Sequence, residues 1–97
     1  MRVEIVSPED VLFSGEATEV LTRTVEGEVA FLANHAPFLG LLVANETRIW
    51  TDSGQVVTVE VPGGFVEVSG DKVSILCESA VMDGSGDTSD GAADRDS

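Results

Sequence analysis

Residue types that carry chemistry are scarce in this chain. It has one histidine, one cysteine, no tyrosine and five basic residues. A lone histidine, His35, excludes a His-based metal cluster. A lone cysteine, Cys77, excludes an internal disulfide. It stands in the strand-like run Val-Ser-Ile-Leu-Cys-Glu, with no adjacent His or Lys to activate it, so it reads as a buried thiol. No Gly-x-Ser-x-Gly elbow supports a Ser-His-Asp triad, and no glycine-rich loop runs into Lys-Ser or Lys-Thr. Glu26 and Glu28 flank a glycine, which fits a solvated turn better than a pair of catalytic carboxylates. Asp87, Asp90 and Asp94 lack the spacing of a calcium loop. The expectation is a protein with no catalytic, cofactor-binding or metal-binding residues.

Long apolar runs are also missing. The most apolar stretch, residues 38–44, is far short of the roughly 20 residues of a spanning helix. The opening Met-Arg-Val-Glu-Ile-Val has neither the apolar core nor the cleavage site of a secretory signal, so a cytoplasmic location is expected. Eighteen acidic residues against five basic ones give a formal net charge of −13. Such a surface repels nucleic acid and anionic lipid heads and favours a basic or neutral protein partner. The same charge would also serve solubility or a salty cytoplasm.

What the chain does have is Val, Ile, Leu, Thr and Phe, concentrated in residues 1–82. Residues 83–97 carry five aspartates, one arginine and no large apolar side chain. They are expected to form a disordered acidic tail. The body alternates with period 2. Val3 and Ile5 oppose Arg2 and Glu4; Val57, Val59 and Val61 oppose Val56, Thr58 and Glu60. Pro8, Ser14-Gly15, Asp52-Ser53-Gly54, Pro62-Gly63-Gly64 and Gly70-Asp71 punctuate the pattern. Phe38–Val43, apolar almost throughout, reads as a fully buried strand. The prediction is an all-β fold: an antiparallel β-sandwich or flattened barrel of about 8–10 short strands. Its core should draw on Val3, Ile5, Val20, Phe38, Leu41, Val59, Val61, Val73 and Ile75.

One loop stands apart, holding the only histidine between strongly apolar strands. Its residues Glu26-Gly27-Glu28 and Leu32-Ala33-Asn34-His35-Ala36-Pro37 resemble the signature E-G-E-x-G-x-L-x-G-H-A-P of F-type ATP synthase epsilon subunits. Val61-Pro62-Gly63-Gly64-Phe65-Val66-Glu67-Val68 and Lys72–Ala80 are similar to two further motifs of that family, in the right order. Val6-Ser7-Pro8-Glu9 and Phe13-Ser14-Gly15-Glu16 also fit. Ala30 and Asn34 replace family glycines. Asn tolerates a left-handed backbone, so Asn34 can hold the same turn; Ala30 requires a regular strand.

The resemblance implies a domain at 1–82 like the epsilon N-terminal sandwich, without the family's usual C-terminal helical hairpin. It implies a non-catalytic subunit of the central rotor that couples proton transport to ATP synthesis. Its partners would be the gamma subunit and the polar loops of the c-ring, with no nucleic acid. Membrane association would be peripheral and indirect, at the cytoplasmic face of a bacterial cell membrane. Ser7, Glu28 and His35 match family positions that face the ring. Glu26, Gly27, Asn34, Ala36 and Pro37 complete the loop motif. Glu28 could accept a charge-assisted hydrogen bond from a ring arginine, and His35 could respond to local pH. Gamma would take an apolar face. The alternative is a free-standing β-sandwich adaptor that shares only the fold.

Overall fold

The computed structural model describes residues 1–78, and every regular element in it is a strand. They are β1 (Arg2–Val6), β2 (Val11–Thr24), β3 (Gly27–Leu32), β4 (Phe38–Leu42), β5 (Asn45–Thr51), β6 (Val56–Val61), β7 (Gly64–Ser69) and β8 (Lys72–Cys77). The expected tail at 83–97 lies outside the described residues.

β2 organises the rest. Residues 11–16 pair with β1, while residues 17–24 pair with β5 and β3. The change of partner coincides with a bulge between Ala17 and Glu19. A bulge bends its strand, and here it lets one 14-residue strand serve two layers. One layer is the first half of β2 with β1, β8, β7 and β4. The other is β3, the second half of β2, β5 and β6. A single bridge, Thr24 to Leu42, links β4 back to β2. The sequence pattern placed a break at Ser14-Gly15. Gly15 instead continues the strand opposite Val3, and the bend falls three residues later. The sandwich is otherwise antiparallel except for β1 and β8, which run parallel.

Period-2 alternation drives one face of each layer inward. Val3, Ile5, Val66, Val68, Val73 and Ile75 from the first layer meet Val20, Phe31, Ile49 and Val61 from the second in one core. Of the expected core, Val3, Ile5, Val20, Val61, Val73 and Ile75 are buried, and Phe38 and Val59 are half-buried against them. Leu41 is not a core residue. It is 49% exposed and Leu39 is 73% exposed, so β4 is not the fully buried strand its composition suggested. Both of its faces are apolar but only one looks inward. Cys77 is buried, and burial pushes its thiol pKa up.

Two turn positions required special backbone. Gly64 has φ +140°, and a Cβ there would lie 2.0 Å from the Leu76 carbonyl oxygen. Only glycine lets β7 come this close to β8. Asn34 is the one non-glycine residue with positive φ, 65°, among the described residues. Ala30 sits in regular register opposite Leu21. Both substitutions of family glycines are therefore accommodated as expected.

Candidate functional site

Strand register fixes which loops share an end of the sandwich. Val6, Leu76, Phe65 and Leu41 are direct cross-strand neighbours, and Leu42 faces both Gly64 and Thr24. The loop after β1, the β2–β3 turn and the β6–β7 turn therefore lie at one end. Met1, the Gly70-Asp71 turn and the Asp52–Gln55 turn lie at the other, tied by Ala17 N–H donating to Met1 O and Arg2 N–H to Asp71 O.

Glu28 belongs to the first end. The Thr24 hydroxyl shapes its turn, accepting from Glu26 N–H at 3.1 Å and donating to Gly27 O at 3.1 Å. Gly27 takes φ +126°. Glu28 then points outward, exposed, in register with Arg23, while Glu46 on β5 lies opposite Glu60. Glu28, Arg23 and Glu46 line one shallow depression, and with Glu60 they form a charged row on the outer face of the second layer. The Glu60 carboxyl is held above the ordinary carboxylate range. It shares a hydrogen bond with Glu46, is partly desolvated, and feels the Glu46 charge.

A buried polar cluster anchors this row from beneath. The Thr22 and Thr47 hydroxyls lie 2.8 Å apart, and both donate to Asn45 Oδ1, at 3.2 and 2.9 Å. Asn45 Nδ2 donates to Val43 O at 2.8 Å. Hydrogen bonds satisfy these buried groups and fix β5 against β2. Sequence reasoning missed the cluster. Its signal is two threonines at inward-facing positions of an apolar alternation.

Ser7 lies at the same end as Glu28, separated around the rim by β8, β7, β4 and β2. Its hydroxyl accepts from Asp10 N–H at 3.1 Å, closing the turn from Ser7 to Asp10. His35 is elsewhere. Glu28 is the second residue of β3, and His35 lies past its other end, beyond about 13 Å of strand. Its Nδ1–H donates to Ala36 O at 2.7 Å, and its ring stands edge-on to Phe31 at 5.0 Å. With Asn34, Ala36 and Pro37 it shapes the β3–β4 loop. The structure therefore brings Ser7 and Glu28 to one end and leaves His35 apart. Glu26 and Gly27 stay with Glu28. Among the described residues, no three His, Cys, Asp or Glu side chains are placed to hold a metal, and no helix is long and apolar enough to cross a membrane.

The family model for the ATP synthase delta/epsilon chain β-sandwich domain matches residues 1–83. The chain belongs to this family. It is 42% identical over 96 residues to an ATP synthase epsilon chain of Brevibacillus brevis, covering 99% of this chain and 73% of that one. It is 42% identical over 82 residues to an epsilon chain of Frankia casuarinae, covering 84% of this chain and 96% of that one. A chain in the Euglena gracilis mitochondrial ATP synthase shares the fold with a TM-score of 0.70 at 23% identity, covering 81% of this chain and 51% of that chain. In this chain the motifs take distinct places: the Glu-Gly-Glu turn at one end, the Asn-His-Ala-Pro loop past the far end of β3, and Pro-Gly-Gly at a close approach of β7 to β8.

Proposed function

We propose that this chain is a non-catalytic rotor subunit of an F-type ATP synthase, peripheral to the membrane at its cytoplasmic face. It packs on the gamma subunit and sets its Ser7 and Glu28 end on the polar loops of the c-ring, so that ring rotation reaches the catalytic head. Family membership over residues 1–83 supports the assembly. The observation that carries the site is Glu28 itself. It is exposed on β3 just past a turn that the Thr24 hydroxyl holds, without an ion pair among the described residues. A carboxylate held this way can accept from a ring arginine without first breaking an internal contact. Arg23 beside it prevents the row from being uniformly negative, which directs the contact to one point. Ser7 supports the same end by holding its turn. His35 serves the β3–β4 loop by its bond to Ala36 and its packing on Phe31.

The test is proton-driven ATP synthesis by reconstituted complex carrying Glu28→Ala or Glu28→Lys. Synthesis should fall, and fall further for Lys, while the melting temperature of the subunit holds. Unchanged synthesis in both variants removes Glu28 from the ring contact.

A further inference from the structure

We propose that β6 is an association edge: two copies of this chain pair their β6 strands antiparallel across a two-fold axis at Thr58, joining their four-stranded layers into one continuous sheet. The proposal stands apart from the rotor reading and rests on the edges of the fold. A strand with one unpaired side offers a row of free N–H and C=O groups, which folded proteins guard with lysine, proline or a bulge. β6 pairs only with β5 among the described residues, in unbroken register from Val56 to Val61. It has no lysine, proline or bulge, and Glu60 is its one charge. The other edges differ. The first half of β2 is flanked by register shifts, and β4 is bridged back to β2. On β3 the inward Phe31 is fully buried against Phe38 and His35. On β6 the inward Val57 and Val59 remain half-buried, so the core is open at this side.

The edge is complementary to itself. Residues directly opposite in a sheet share a face, so the outward Val56, Thr58 and Glu60 must meet outward residues of the second copy. With Thr58 on the axis, Glu60 faces Val56 of the second copy, Thr58 faces Thr58, and inside Val57 faces Val59. No acid meets an acid, and the half-buried valines of both copies pack together. The next strand adds to the match. Arg48 lies opposite Thr58, and Glu46 opposite Glu60. The central row of the joined sheet thus reads Arg48, Thr58, Thr58, Arg48, with a Glu46–Glu60 pair to either side. Arg48 has no ion pair among the described residues, so it is available to these acids. The same strand serves both copies, as a closed two-fold contact requires. The chain's own residues 83–97 suit the edge less well, since they would lay five aspartates beside Glu60. A net charge of −13 per copy opposes association at long range, so the pairing is weak and salt strengthens it.

The experiment is sedimentation equilibrium of the full-length chain at low and high salt, with hydrogen exchange of the β6 amides across the same concentrations. A monomer–dimer equilibrium should appear, shift toward dimer with salt, and protect β6 as concentration rises. Thr58→Lys sets two lysines against each other on the axis and should raise the dissociation constant at least about 10-fold. Ala30→Lys is the control. It makes the same change of net charge at an exposed position of β3, in the same layer, and should not weaken the dimer. Val56→Lys sets a lysine against Glu60 of the second copy, twice per dimer. It should lower the dissociation constant about 3-fold or more at low salt relative to Ala30→Lys. All three positions face outward and are exposed, so melting temperatures should stay near the parent's. A chain that stays monomeric at every concentration and salt overturns the proposal. So does a Thr58→Lys variant that dimerises like Ala30→Lys, or a Val56→Lys variant that gains nothing over it. Protection of β6 that is complete at every concentration also overturns it, since the chain would then be covering its own edge.

Discussion

The two layers of this sandwich are alike inside and opposite outside. Their inner faces interleave Val, Ile and Phe in one shared core. Outside, the five-stranded layer carries Val11, Val6, Leu76, Phe65 and Leu41 in line, while the four-stranded layer groups Glu28, Arg23, Glu46 and Glu60. Core positions are set by folding, which asks only for apolar groups of suitable volume. The outer rows are under no such demand, so their contrast has to be explained by what touches them. An apolar row suits a partner that stays packed. A charged row at a rim orients more than it binds.

The contrast depends on a rigid frame, and the largest effect comes from breaking that frame. Gly64→Ala puts a Cβ onto the Leu76 carbonyl at a backbone angle that L-residues avoid. It should cost about 3 kcal/mol or more and pull β7 from β8, splitting the apolar row between Phe65 and Leu76. Chemical denaturation gives the stability, and gamma binding should fail in parallel. Wild-type stability would show that the strands are not held at this spacing. Phe31→Ala is next. Phe31 is fully buried between the layers and touches Phe38 and His35. Its loss should cost about 3–5 kcal/mol. A single transition should report both outer faces, because they share one core.

Much of this was legible in the residues, and the failures have physical reasons. Alternation locates Val3, Ile5, Val20, Val73 and Ile75 because a strand with one wet face must alternate. Asn34 was legible because few residues tolerate φ 65°. β4 was misread because Leu39 and Leu41 are as apolar as Leu42. Sequence alone cannot separate side chains that bury on folding from those that face outward in the folded chain. The β2 bend was placed at Gly15 because glycine is the usual signal, whereas the change of partner strand determines where the bend falls. Ser7, Glu28 and His35 came as one set from family motifs read along the chain. Register separates them, since the six residues of β3 carry the chain from one end of the sandwich toward the other.

That separation sharpens the next comparison, between the two ends. Glu28→Ala should lower ATP synthesis with stability changed by no more than about 0.5 kcal/mol, as for an ordinary surface substitution. His35→Ala should do the reverse. It removes the Nδ1–Ala36 bond and the edge contact with Phe31, so its melting temperature should fall while ring coupling persists in the folded protein. Loss of coupling in His35→Ala at unchanged stability would return His35 to the ring-facing set.

The smallest effect concerns Glu46 and Glu60, which face each other across β5 and β6. The Glu60 carboxyl has its pKa raised, first by the hydrogen bond with Glu46, then by desolvation and by the Glu46 charge. An acid whose folded pKa exceeds its unfolded pKa disfavours folding when both states are ionised. The penalty is therefore present at neutral pH. It is relieved as pH falls through the raised folded pKa, and is gone below the unfolded one. Glu60→Gln removes the titrating charge and offers the Glu46 carboxylate an amide N–H donor. The variant should melt slightly higher than the parent at pH 7 and low salt, with the difference shrinking on acidification through the carboxylate range. Added salt should shrink it too, because the pair is exposed and screened. Melting curves of both proteins across that range decide the matter. A variant that melts lower than the parent at pH 7, with the loss shrinking on acidification, has the wrong sign for two carboxylates in repulsion, and would mean that Glu60 is stabilised by a positive neighbour such as Arg48 instead.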